Sequence, residues 1–127
     1  MEIFGIGSDI IEVGRIKNAI EKHPRFLKKI FTGKEILYCQ SRKDNKYQSF
    51  ASRFAAKEAV AKSLHQGLGK HIFFNEIEIL NNEFGNPYVV LHGSSYLYFL
   101  TNKLKDIKIT MSSTKDYAVA CAASVKE

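Results

Sequence analysis

The chain has 127 residues, a formal net charge of +6 and a pI near 9.3, with 45% hydrophobic and 25% charged residues. This excludes a disordered chain, and the length suits one domain with a real core. The positive balance points to an anionic partner: nucleic acid, a membrane surface, a phosphorylated cofactor or an acidic protein.

No apolar run is long enough to span a bilayer, and the N-terminus has no basic region ahead of an apolar one, so a cytosolic location and no membrane partner are expected. Cys39 and Cys121 lie far apart, without metal-ligand spacing and in apolar surroundings that suit reduced core thiols.

Residues 2–13 open with a strand, loosely alternating until Gly7, where the backbone is free to turn or bulge. Asp9 stands among Ile6, Ile10, Ile11 and Val13, and a carboxylate so embedded needs pairing, capping or a cation. Its plain alternative is a cap on the next helix. That helix is expected over residues 13–22, with Val13, Ile16 and Ile20 inward, and Pro24 ends it. A short basic helical piece follows over 25–31. Thr32 and Glu35 then form a capping-box pattern that predicts a helix through about Gln40. Arg15, Lys17, Lys22, Arg25, Lys28, Lys29 and Lys34 crowd these helices, as a solvated face or as a dock for an acidic protein.

Residues 49–64 read as a long helix on which the chain is organised. At about 100° per residue, Phe50, Ala51, Phe54, Ala55, Ala56, Ala59, Val60, Ala61 and Leu64 ring nearly its whole circumference, so it is central and buried. Arg53, Lys57, Glu58 and Lys62 interrupt it, and buried charges need partners. An ordinary pair of Glu58 and Lys62 at a spacing of four is one explanation. A crevice holding anions and a metal, lined by small alanines, is the other. Gly67 suits a left-handed helix cap.

Residues 72–80 and 87–91 are expected to form a hairpin, the alternation at Glu76 to Ile79 arguing a half-exposed strand. A helix from Gly93 to about Lys105 is expected to turn Leu97, Leu100 and Leu104 inward, and two strands, 107–111 and 117–122, close the chain. The whole is an α+β domain, an antiparallel sheet packed on the buried central helix.

Gly5-Ile6-Gly7-Ser8-Asp9-Ile10-Ile11-Glu12-Val13 with Arg15-Ile16, and Arg53-Phe54-Ala55-Ala56-Lys57-Glu58-Ala59 with Lys62, resemble the holo-acyl-carrier-protein synthase family of the 4′-phosphopantetheinyl transferase superfamily. The likeness extends over essentially the whole chain, through Gly67-x-Gly69, Gly85-Asn86-Pro87 and Lys115-Asp116-Tyr117. It implies transfer of the phosphopantetheine arm of coenzyme A to a serine of apo-acyl carrier protein, releasing adenosine 3′,5′-bisphosphate, within fatty acid biosynthesis. Asp9 and Glu58 match the family's Mg²⁺ carboxylates, and Lys62 falls near the same phosphates. The resemblance places Arg53, Gly67, Gly69, Pro87, Ser112 and Ser113 around coenzyme A. It makes Arg15, Lys22, Arg25 and Phe26 carrier contacts, and it implies a homotrimer with interfacial active sites and no nucleic-acid partner. Where the family carries a histidine this chain has Ser113, which implies either weaker coenzyme A binding or compensation by the charge of Lys115. His23, His65, His71 and His92 do not match that position and are expected on the surface or in packing. The rivals are a coenzyme A binder without transfer and a small basic RNA-binding module using Tyr38, Tyr47 and Tyr96. Titration with coenzyme A, with and without magnesium, separates them.

Overall fold

The computed structural model describes residues 1–127. Its elements are β1 (Glu2–Glu12), α1 (Val13–Lys22), α2 (Phe26–Ile30), α3 (Gly33–Ser41), α4 (Lys46–Ser63), β2 (Ile77–Asn81), β3 (Pro87–Leu91), α5 (Gly93–Thr101), β4 (Leu104–Ser113) and β5 (Tyr117–Lys126). One antiparallel sheet has the order β1-β5-β4, and β2 and β3 form a separate hairpin. The α+β class and the central helix are as expected.

The helix lies against the sheet through unusually small residues. The face of β5 that meets it is Ala118, Ala120, Ala122 and Ser124, all buried, and β1 contributes Gly5 and Gly7 alongside. A Cβ at Gly5 would overlap the Ser63 carbonyl oxygen, and one at Gly7 the Ala59 carbonyl oxygen. Gly7 is therefore a point of backbone approach and not a turn: β1 continues to Glu12, its register shift falling earlier, between Ile3 and Gly5. Around the helix, Phe50, Val60, Leu64, Ile72, Ile77 and Ile79 are fully buried, each stabilising the fold by about 1.5–3 kcal/mol. Thr32 and Glu35 form the capping box of α3.

Four expectations are corrected. Residue His65, at φ 61°, and not Gly67, takes the left-handed position after α4, where its Nε2 meets the Phe4 carbonyl at 2.8 Å. The hairpin strand starts at Ile77, with Ile77, Glu78 and Ile79 all buried, because a short 3₁₀ turn, Phe74–Glu76, occupies the preceding residues. Helix α5 ends at Thr101 with Leu97 and Leu100 exposed, while Leu104 is buried as the first residue of β4. Cys39 is buried as expected, but Cys121 is exposed, since from Tyr117 to Ala122 the even-numbered residues of β5 face the helix and the odd-numbered ones face away.

Candidate active site

Asp9 belongs to the helix-facing side of β1, opposite Ala120, and the small side chains there bring α4 close enough for Glu58 and Lys62 to share its surroundings. Lys62 donates to the Ser8 carbonyl at 2.9 Å and lies 3.4 Å from the Asp9 carboxylate. It makes no ion pair with Glu58, so the simple intrahelical pair is not what the spacing encodes. Burial, with the Asp9 charge second and Lys62 opposing, raises the Glu58 carboxyl above its usual range. Asp9 does not cap α1, whose N-cap is Glu12.

Asp9 and Glu58 line one cleft of about 390 Å³ together with Ile10, Ile11, Arg15, Ile16, Phe26 and Phe54. Two of the residues expected to hold a carrier, Arg15 and Phe26, thus share a cleft with both expected metal carboxylates. Lys22 ends α1 and Arg25 precedes α2, on the same basic helices but outside the cleft lining. Two mutually repelling hard-oxygen donors fit a small divalent cation. No cluster of three or more His, Cys, Asp or Glu groups is present, and Mg²⁺ needs few protein ligands, completing its shell from water and substrate phosphates.

A second cavity, of about 340 Å³, gathers Arg53, Ser112 and Ser113 with Tyr38, Arg42, Gln48 and other polar residues. Arg53 is 3% exposed. It donates to Ser49 and Asn81, and its Nε has no partner. Ser113 donates to Gln48 at 3.3 Å. Lys115 is not among the lining residues; the second cation there is Arg42.

Arg53 and Lys62 are nine residues apart, about two and a half turns, which places them on opposite sides of α4 and about 13 Å apart along its axis. The two sets of expected residues therefore do not meet within one chain. Gly67 and Gly69 lie in the exposed segment after α4, and Pro87 opens β3 opposite Asn81; none of the three lines either cavity.

Lys57, fully buried, donates to Glu35 at 2.8 Å and to the carbonyls of Phe74 and Ile77. It ties α4 to α3 and the start of β2. The sequence signalled that Lys57 needs a partner without identifying it. Arg42 and Gln48 were missed altogether, because only the fold brings α3's end, α4's first turns and β4's end together.

The sequence model of the 4′-phosphopantetheinyl transferase superfamily matches residues 5–122. The chain belongs to this superfamily. It is 51% identical over 118 residues to the holo-[acyl-carrier-protein] synthase of Ruminiclostridium cellulolyticum, covering 92% of this chain and 88% of that protein. The crystal structure of the Neisseria meningitidis holo-[acyl-carrier-protein] synthase superposes with a TM-score of 0.88 at 27% identity, over 98% of this chain and all of that one. The Bacillus anthracis synthase, solved in complex with CoA (3′,5′-ADP), superposes at 0.82 with 31% identity, over 98% of each chain.

Proposed function

We propose that the chain is a holo-acyl-carrier-protein synthase: it transfers the 4′-phosphopantetheine arm of coenzyme A to a serine of apo-acyl carrier protein in fatty acid biosynthesis, releasing adenosine 3′,5′-bisphosphate. The observation that carries this is the shared cleft, in which the carboxylates of Asp9 and Glu58 stand beside Arg15 and Phe26. A carrier docked on α1 and α2 delivers its serine to the charged end of that cleft.

The serine hydroxyl oxygen attacks the phosphorus that bears the pantetheine, its proton is lost to solvent, and the bond to the bridging oxygen breaks toward the nucleotide. Negative charge grows on the leaving phosphate, and the Lys62 ammonium, already oriented by the Ser8 carbonyl, neutralises it. Asp9 and Glu58 would hold Mg²⁺, which supplies Lewis-acid charge neutralisation at the pyrophosphate when bound. Arg53 holds a phosphate of the nucleotide, its guanidinium fixed by Ser49 and Asn81.

Because the Arg53 cavity and the Asp9 cleft face opposite sides of α4, the complete site is formed between copies of the chain, in a homotrimer. The outer sheet face supports this reading: Ile6 is 71% and Ile10 66% exposed, with Val119 beside Ile10. Such an apolar face is best covered by another copy. Cytoplasmic residence accompanies this function, and no helix is long and apolar enough to cross a membrane. The reading is tested by chromatographic detection of adenosine 3′,5′-bisphosphate released from coenzyme A. Release that requires both apo-carrier and magnesium supports it; release without carrier, or none with a folded carrier present, refutes it.

A further inference from the structure

The chain leaves α4 through a left-handed backbone at a residue other than glycine: His65 stands at φ 61°. Few side-chain-bearing residues occupy that region, and where one does the surrounding contacts hold it there, often beside a functional site. The contacts of the His65 ring run to β1. The Phe4 carbonyl only accepts, so the His65 Nε2, 2.8 Å away, carries a proton and donates it. The two rings meet edge to face with centres 4.9 Å apart, and Gly5 leaves room for the imidazole, since a Cβ there would come within 2.9 Å of Nε2. Only two side chains of α4 and the residues just after it bond β1 directly. His65 takes the Phe4 carbonyl, and Lys62 takes the Ser8 carbonyl with Asp9 at 3.4 Å. Ser124 of β5 reaches both elements, at the Ser63 and Gly5 carbonyls.

We propose that His65 is a positioning residue for the transfer reaction: its bond to Phe4 fixes β1 against the end of α4 and so sets the separation of Asp9 from Glu58 and Lys62. This rests on the transferase reading. The two ties, at Phe4 and Ser8, bracket the stretch where strand and helix backbones come closest, at Gly5 and Gly7. Those glycines give the seam no interlocking side chain to resist sliding. Asp9 rides on the strand and Glu58 on the helix, so any slide changes the spacing of the two carboxylates offered to Mg²⁺. Of the two ties, Lys62 is half exposed and is drawn toward phosphate charge when substrate binds. His65 keeps its acceptor throughout, because both the neutral Nε2–H tautomer and the imidazolium donate to a carbonyl. The strain at His65 is thus the counterpart of a tie that leaves Lys62 free to act.

The experiment is a paramagnetic-resonance titration of Mn²⁺, in place of Mg²⁺, into protein saturated with coenzyme A, without carrier so that nothing turns over. Wild type, Asp9→Ala, His65→Gly and His65→Gln are compared, with melting temperature, kcat and KM measured on the same preparations. Wild type binds Mn²⁺ and Asp9→Ala loses it. His65→Gly suits the left-handed backbone and folds, but it has no donor for Phe4. Its Kd for Mn²⁺ rises about 10-fold and its kcat falls about 10-fold, as for loss of a group that orients metal ligands, while KM for carrier holds. His65→Gln, whose amide nitrogen can donate to the same carbonyl, recovers most of both. A folded His65→Gly with wild-type Mn²⁺ affinity and kcat overturns the proposal whatever its melting temperature, and so does a His65→Gln that recovers neither. Equal Mn²⁺ binding by wild type and Asp9→Ala refutes the metal site of the transferase reading, and the positioning role falls with it.

Discussion

Lys57 Nζ lies 2.8 Å from Glu35 Oε1, and neither side chain reaches solvent. Glu35 also accepts from the backbone N–H groups of Thr32 and Ile79, so this pair joins α3, α4 and β2 at one point. Burial is the largest influence on Lys57 and lowers its proton affinity, with the Glu35 charge working against it.

Removing one member leaves the other buried and uncompensated. Lys57→Met is therefore expected to cost about 3–5 kcal/mol, and the double variant Lys57→Met with Glu35→Leu less than the sum of the singles. Urea unfolding of the three proteins measures this; additive effects would show that the two residues act separately.

Glu76 binds the start of α5. Burial works to raise its carboxyl, but hydrogen bonds from Ser94 and Ser95, side chain and backbone, outweigh it and hold the carboxyl below its ordinary value. A carboxyl depressed by folding contributes stability above its unfolded value, and loses it as pH falls through the folded one. Glu76→Gln is expected to melt below wild type at pH 7, with the gap closing under acid. A gap that widens below pH 4 would contradict the assignment.

The close approach of β1 to α4 makes a methyl group intolerable at either glycine. Gly7→Ala puts its Cβ into the Ala59 carbonyl and against the Lys62 Cβ, so the strand must move and carry Asp9 with it. A loss of about 1–3 kcal/mol in stability is expected. Transfer falls much further than stability in protein that remains folded; calorimetry and a rate measurement on the same sample check the two together.

Charge reversal at Arg15 and Arg25 is expected to act on encounter with the acidic carrier that the proposed function requires. The expected outcome is a higher KM for carrier and a flatter salt dependence, with kcat nearly unchanged. Kinetics identical to wild type across ionic strength would remove α1 and the residues before α2 from the docking surface.

If each site draws Asp9 from one copy and Arg53 from another, inactive Asp9→Ala and Arg53→Ala chains should rescue each other on subunit exchange. About a quarter of the sites regain both intact halves. Mixtures that stay inactive after exchange is demonstrated would require a site contained in one chain.

Most of the architecture was legible in the sequence because its signals are local. The capping box at Thr32, the alanine-rich circumference of α4 and the hairpin around Gly85 each declare themselves within a few residues. What failed was what depends on packing. Leu97 and Leu100 have helical spacing, yet α5 presents Ser95 inward, so apolar period alone chose the wrong face. His65 accepts a left-handed backbone that residue preference assigns to Gly67, because its ring is held by Phe4. Asp9 and Glu58 stand out as charges set in apolar surroundings, and only the family resemblance names them as carboxylates of a metal site. Arg42 did not, since only the fold brings it to the lining of the Arg53 cavity, over the Tyr38 ring.

The most direct measurement is the intact mass of apo-acyl carrier protein after incubation with this protein, coenzyme A and magnesium. The account predicts a gain of one phosphopantetheine arm, reduced by at least about two orders of magnitude in rate in Asp9→Ala and in Glu58→Ala. An unmodified carrier, under conditions where an authentic synthase modifies it fully, would contradict the account.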